Sequence, residues 1–309
     1  MKSFELKEGM FKDIPSDVYH GTAGSYSSTQ LKDAASDIAI FHGKYISKTI
    51  EKESGDNPAF KVGTYYHTAI LEPDKLNMDC VKYEGVRRGE KWDKFLRDNE
   101  GRTIVSEGEL KQAETLIAAT KNSPIAMNRI ARSEPEVSAF VQIRIVGTDI
   151  YAPSFDKILT KYGWSDHKSI PKKGVDLWIK VRADALGSDF ILDLKSTSGN
   201  AKDSHSIKSK ISSLNYDLSA SLYLDVFSLV TKRTMTDFIW TFASKDYGNC
   251  KNYMASHKNI MVGRAKYRKA LLNIAEGIES NWVIPDSMEI LEPAHWDLEY
   301  LTESGEELL

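Results

Sequence analysis

In the N-terminal part of the chain, apolar residues recur at helical spacing. Ser27-Ser28-Thr29 supplies N-cap candidates for a helix through Leu31, Ala34, Ala35, Ile38 and Phe41. A polar break, Lys48–Asn57, with Gly55 and Pro58 as loop markers, separates it from a second helix predicted over Phe60–Leu71 and stopped by Pro73. Trp92, Phe95 and Leu96 mark a short amphipathic segment. Ser106 followed by Glu109 is a capping-box pattern opening a long helix through Leu110, Ala113, Leu116, Ile117 and Ala118.

The period then shortens. Val137–Val146 alternates and is β-branched, which predicts a strand. Val175–Ala185 and Asp189–Leu194 predict two more, joined by a tight turn at Gly187-Ser188. Lys161–Gly174 is polar and broken by Gly and Pro, the pattern of a surface insertion. Tyr216–Val230 is helical again, Thr236–Ala243 is a strand, and Val262–Trp282 is a long amphipathic helix. Helices first, then strands around one helix, predict an α/β fold with a central mixed sheet flanked by helices. Residues 1–285 are expected to form one domain, with a helical N-terminal part to about 132 and a sheet core from about 133.

Composition narrows the classes. A chain of 309 residues with 41% hydrophobic residues, 28% charged residues and a mean hydropathy of −0.40 can bury a substantial core, which argues against disorder. No apolar run is long enough to span a bilayer, so no membrane partner is expected. The charged start, MKSFELKEGMFKD, lacks the apolar region of a signal peptide, so the expected location is cytoplasmic. Two cysteines, Cys80 and Cys250, are too few for a disulfide scaffold or a four-thiolate cluster. No G-x-x-x-x-G-K-[ST] is present to hold a nucleoside triphosphate.

The net charge of −3 would discourage a polyanionic partner, but it is unevenly spread. Residues 286–309 hold eight acids and no Lys or Arg, an acidic tail. Residues 1–285 are left with 41 basic against 36 acidic residues, a net of +5.

The chemistry concentrates in Val181-Arg182-Ala183-Asp184 and in Phe190–Thr197, which contains Asp193-Leu194-Lys195. Side chains alternate faces along a strand, so Asp193 and Lys195 share one face and Leu192 and Leu194 the other. Asp184 ends the preceding strand, and the hairpin can set its carboxylate beside Asp193. Two converging carboxylates repel, and a divalent cation relieves that repulsion. Hard oxygen ligands favour Mg²⁺, with Mn²⁺ able to substitute. Lys195 could orient an attacking water, help to deprotonate it, or stabilise transition-state charge. Glu136, at the start of a strand, could add a further carboxylate. Arg87, Arg88 and Lys91 could hold phosphates, Arg182 could face the same groove, and Ser196-Thr197-Ser198 could donate hydrogen bonds to phosphate.

This arrangement resembles the PD-(D/E)XK nuclease superfamily. Further segments narrow the resemblance to the phage and prophage RecE-type exonucleases (exodeoxyribonuclease VIII, PDDEXK-like), kin of the RecB nuclease domain. They are Val18-Tyr19-His20 with Ser27–Leu31, Gly63–His67 leading into Leu71-Glu72-Pro73, Arg87–Trp92, Glu136 with Ser138, and Gly263-Arg264 with Tyr267. The family's Q-x-x-x-Y helix motif is met only in part, with Tyr223 kept and Ser219 in place of Gln.

The resemblance implies a catalytic set of Asp184, Asp193, Lys195, Glu136 and His67, with His67, Asp184 and Asp193 as metal ligands and Tyr223 among the DNA contacts. It implies an exonuclease that degrades linear double-stranded DNA 5′→3′ and leaves 3′ single-stranded tails for recombination. It also implies a single-strand annealing protein as partner, a homo-oligomer in the manner of ring-forming relatives, and the cytoplasm of a bacterial host. A structure-specific endonuclease on the same fold and a non-catalytic DNA-binding module are the alternatives.

Overall fold

The computed structural model describes residues 4–51, 57–283 and 292–293. Most of the acidic tail and residues 52–56 of the polar break lie outside the described residues. In the N-terminal part the elements are β1 (Gly9–Phe11), α1 (Ser16–Gly21), β2 (Ser25–Tyr26), α2 (Ser28–Ser36), α3 (Ile38–Phe41), α4 (Pro58–Leu71), α5 (Leu76–Asp79), β3 (Cys80–Lys82), α6 (Glu90–Asp98), β4 (Thr103–Val105), α7 (Glu107–Lys121) and α8 (Pro124–Ile130). The rest comprises β5 (Glu134–Val146), β6 (Asp149–Ala152), β7 (Lys157–Thr160), β8 (Gly163–Asp166), β9 (Val175–Leu186), β10 (Phe190–Thr197), α9 (Ser204–Ser213), α10 (Tyr216–Thr231), β11 (Asp237–Ser244), β12 (Cys250–Met254) and α11 (His257–Glu279).

The central sheet runs β12-β11-β10-β9-β5-β6-β7-β8. It is mixed: β10 pairs in parallel with β11, reached through α9 and α10, while β9 pairs antiparallel with β5 and β10. The N-terminal part is not purely helical, because β1 pairs with β5 and β2 with β9.

Alternation along β10 divides the core. Leu192 and Leu194 pack with Val62 and Tyr66 of α4 and Leu116 of α7. On the other side Leu218 and Leu222 of α10 and Tyr267 and Ile274 of α11 pack with Val181 and Trp240. Helices on both faces of one sheet give the α/β architecture that the sequence predicts.

Three expected elements differ in detail. The helix expected through Phe41 breaks at Asp37, whose extended backbone (φ −156°) lets its carboxylate accept from the Ala39 amide and start α3 afresh. The closing helix begins before Val262, because Ser256 and Asn259 form a capping box. It ends at Glu279, and the Trp282 amide then turns back to the Gly277 carbonyl at 2.6 Å.

The third is Lys161–Gly174, which is not a detached surface insertion. Its residues Gly163–Asp166 form β8 and extend the sheet edge. α11 holds that hairpin through Arg264 Nη1 to the Lys161 carbonyl (3.0 Å) and Arg268 Nη1 to the Leu159 carbonyl (3.0 Å).

Candidate metal centre

The site lies where β9 and β10 part. Their ladder covers only Ile191↔Leu186 and Leu192↔Ala185. The next pair in register would be Asp193 and Asp184. Instead of a strand bond, the Leu194 amide donates to Asp184 Oδ2 at 2.7 Å. The hairpin itself is tight, with the Gly187 amide donating to the Phe190 carbonyl at 2.8 Å. A Cβ on Gly187 would stand 2.0 Å from the Phe190 ring, so this turn needs glycine.

On the other edge of β9, the β5 ladder pairs Pro135 with Ala185 and Val137 with Ala183. Glu136, between them, is therefore opposite Asp184. Its backbone is left-handed, φ 49°, a conformation that costs a non-glycine residue about 1–3 kcal/mol. The strained residue is thus one of the carboxylates.

α4 reaches this point with His67, whose Nδ1 is 3.4 Å from Asp184 Oδ2. His67, Glu136 and Asp184 each offer a ligand atom, all within 4.8 Å of one another. Asp193 stands outside that trio and accepts from Lys195 Nζ at 2.5 Å. Of the expected ligands His67, Asp184 and Asp193, the structure brings the first two together and leaves the third outside the cluster. Glu136 takes a place in the cluster, and Asp193 is held by its lysine.

The electrostatics match the donor set. Burial and then the Asp184 charge push Glu136 up to about 8, against the pull of Arg182. Burial also raises Asp193; Lys195 opposes that and Asp184 adds to it. For Lys195, burial works downward, but the carboxylates of Asp193 and Asp184 outweigh it and hold the ammonium above its ordinary range. Lys195 therefore stands beside the carboxylates as a cationic donor. Glu136, which burial and the Asp184 charge push toward protonation, forms with Asp184 and the His67 imidazole a donor set that a cation would relieve by holding both carboxylates ionised.

The expected phosphate contacts fall into separate places. Arg182 lies beneath the site: Nε donates to Ser138 Oγ (2.9 Å), Nη2 to the Ile14 carbonyl (2.8 Å), and the guanidinium covers the buried Tyr19 ring at 4.1 Å. Its Nε is also 4.0 Å from Glu136. Arg87 pairs with Glu109 at 2.7 Å and donates to the Ile104 carbonyl, fastening the strand pair β3–β4 to α7. Arg88 and Lys91 are exposed near the start of α6. Trp92 and Phe95 pack on Tyr83, with ring centroids 4.8 and 4.7 Å away. Ser196 is exposed, whereas Thr197 is buried and accepts from Lys210 Nζ at 2.7 Å.

α10 closes the other side of the cleft. Tyr216, Ser219 and Tyr223 follow one helical face. Tyr223 lies 3.4 Å from Ser28 Oγ, hydroxyl to hydroxyl, and burial pushes it up to about 12 with Asp193 and Asp184 adding to the shift. The Lys195 ammonium is 5.1 Å from the centre of the Tyr216 ring. Neither Tyr216 nor Lys32, which shares that ring, was among the residues the sequence singled out. For Tyr216 a signal existed, three positions before Ser219 on the predicted helix. Gly63, one turn before His67, has no atom within 4 Å of where a Cβ would stand, so the face beside the histidine is open.

The fold has counterparts among known proteins. A crystal structure described as a "putative exonuclease" from Eubacterium rectale superposes with TM-score 0.53 at 13% identity, covering 94% of this chain and 98% of that one. At that identity the likeness speaks for the fold. A second crystal structure, SSO0001, superposes at TM-score 0.32 and 11% identity over 91% of this chain and 85% of that one. No curated protein matches the chain. The model of one family, described as a PDDEXK-like domain of unknown function (DUF3799), matches residues 27–290, from the start of α2 to beyond α11. With its carboxylates gathered where β9 and β10 diverge, the chain belongs to that PDDEXK-like family.

Proposed function

We infer that this protein is a metal-dependent deoxyribonuclease that hydrolyses phosphodiester bonds from the ends of linear double-stranded DNA. The observation that carries the reading is the convergence of His67, Glu136 and Asp184 beside an Asp193–Lys195 pair, in a PDDEXK-like fold. His67, Glu136 and Asp184 would hold Mg²⁺ or Mn²⁺, with Asp193 adjoining. When bound, the cation supplies neutralising charge for the carboxylates and polarises the phosphoryl group.

The remaining work falls to the chain. Lys195, kept cationic by Asp193, donates toward the phosphate or the attacking water and offsets the charge that builds as the bond breaks. Asp193 fixes the ammonium in place. Asp184 is itself fixed by the Leu194 amide, which sets its carboxylate before any ligand arrives.

The RecE-type resemblance gives the finer reading. It supports 5′→3′ degradation that leaves 3′ tails, a homo-oligomer that encloses DNA, a single-strand annealing partner and action in the cytoplasm of a bacterial host. Among the described residues no helix is long and apolar enough to cross a membrane.

The test is a time course on end-labelled linear duplex with Mg²⁺, comparing 5′-phosphate with 5′-hydroxyl ends and linear with closed circular DNA. The expected result is release of short products from linear DNA only, abolished in both Asp193→Ala and Lys195→Ala. Intact linear duplex in the presence of folded protein and Mg²⁺ or Mn²⁺ overturns the reading. Cutting of closed circles points instead to an endonuclease on this fold.

A further inference from the structure

Lys32, on α2, lies among Asp193, Lys195, Asp217 and Lys266, on the Asp193–Lys195 side of the carboxylate cluster. Its ammonium lies 4.9 Å from the centre of the Tyr216 ring, the ring that Lys195 approaches to 5.1 Å. Two ammonium groups thus share one aromatic side chain. An aromatic face attracts a cation by about 0.5–2 kcal/mol, but it does not neutralise the charge.

The acids around Lys32 are already engaged. Asp193 is held by Lys195 at 2.5 Å, and Asp217 by Lys266 at 2.8 Å. Asp33, next in sequence, accepts from Lys44 and Tyr45. Among the described residues Lys32 itself has no hydrogen-bond or ion-pair partner. Burial, with the Lys195 charge adding to it and Asp193 and Asp217 opposing, pushes its ammonium down to about 8. A half-buried cation facing a second cation is unfavourable until an anion arrives between them.

The reach of the site completes the picture. Ser219, between Tyr216 and Tyr223 on the face of α10 that lines the cleft, is short, and its hydroxyl offers less than the two-sided amide contacts of a glutamine. The cleft therefore has a lysine on α2 available for an anion and only a hydroxyl on the corresponding turn of α10.

We propose that Lys32 is a phosphate-binding residue of the cleft, holding a phosphodiester of the DNA strand that passes over the Tyr216 ring beside the carboxylate cluster. The proposal rests on the nuclease reading and adds to it a named contact on a helix remote in sequence from the D-x-K strand. The phosphate supplies a directly bonded anion; Asp193 and Asp217, paired with Lys195 and Lys266, attract Lys32 without providing one. Lys32 then contributes one cationic contact, while Lys195 remains with Asp193.

The experiment is binding of a short fluorescent duplex, read by anisotropy over a range of salt concentrations, with Ca²⁺ in place of Mg²⁺. Wild type, Lys32→Met and Lys32→Arg are compared, and Mn²⁺ binding to each is measured by calorimetry. Lys32→Met is expected to weaken DNA binding about tenfold, the size of a charge-assisted contact, and to make the slope of log K against log salt shallower by about 0.9. Lys32→Arg is expected to restore the slope, and all three are expected to bind Mn²⁺ alike.

Unchanged affinity and slope in Lys32→Met, beside a wild type that binds and cleaves DNA, overturns the proposal alone. Loss of Mn²⁺ binding in Lys32→Met overturns it as well, because the lysine then serves the carboxylates or the fold. A folded wild type that neither binds nor cleaves DNA overturns the nuclease reading, and the proposal with it.

Discussion

The same substitution at two helical glycines should have opposite effects. Gly263 on α11 is buried where that helix crosses α10. A Cβ there would stand 1.9 Å from the Asp217 carbonyl oxygen, 2.4 Å from its carbon and 2.4 Å from Ser221 Oγ. Real Cβ atoms do not approach closer than 3.0 Å, so the gap must open by more than an ångström. None of these atoms is the free end of a flexible side chain: two are backbone, and Ser221 Oγ is tied to the Asp217 and Ile260 carbonyls.

Opening a packed interface by 0.5–1 Å forfeits about a quarter to a half of each contact's attraction, and overpacking commonly costs about 1–3 kcal/mol. Gly263→Ala should therefore cost about 3 kcal/mol or more. For a chain of this size that corresponds to a fall of about 5 °C in melting temperature.

Gly63 on α4 has nothing within 4 Å of the place a Cβ would take, so Gly63→Ala should gain roughly 0.5–1 kcal/mol from helix propensity alone. Thermal melts followed by circular dichroism separate the two. A Gly263→Ala protein that melts like wild type refutes the close crossing of α10 and α11. A Gly63→Ala protein that loses several degrees refutes the open face beside His67.

Three further outcomes are expected. Glu136 is raised from its ordinary 4.5 to about 8 in the metal-free fold, so between those values the folded chain binds more protons than the unfolded one. Its contribution to stability is therefore lost as pH rises through that window; melts in chelator at pH 5, 6.5 and 8 should fall more steeply for wild type than for Glu136→Gln, and parallel curves would remove Glu136 from the account. Asp225→Ala strands Arg264 in the core after loss of its two 2.8 Å bonds, at a cost of roughly 3–5 kcal/mol in a urea titration, and a cost below about 1 kcal/mol would contradict the buried pairing. Arg87→Ala should chiefly destabilise the β3–β4 region, read as faster amide exchange there, with the DNA salt slope unchanged; a shallower slope would restore Arg87 to the phosphate contacts.

Local rules made part of this site legible. Strand alternation places Asp193 with Lys195 and Leu192 with Leu194, and the structure divides them in that way between α10 and the α4–α7 side. The turn at Gly187-Ser188 brings Asp184 level with Asp193 because a hairpin fixes register.

What local rules do not carry is the partner that each long side chain finds. Arg87 reads as a free cation beside Arg88, yet Glu109, already recognisable as a capping-box residue, takes it. Arg182 reaches the Ile14 carbonyl at the far end of the chain. Lys32 carries no signal of its own in the sequence, and only the packing of α2 beside α10 sets its ammonium over the Tyr216 ring. Charged side chains with several rotatable bonds are placed by tertiary contacts, whereas carboxylates on strands are placed by the sheet.

The central claim is that the point where β9 and β10 part holds a divalent cation. Calorimetric titration with Mn²⁺ tests it most directly, in wild type and in Asp184→Asn, which removes the carboxylate that lies within 4.8 Å of ligand atoms of both His67 and Glu136. The account expects saturable binding with proton release in wild type, stronger at pH 8 than at pH 6, and loss of that binding in Asp184→Asn. Equal heats in the two proteins, or no saturable binding by folded wild type, would contradict it.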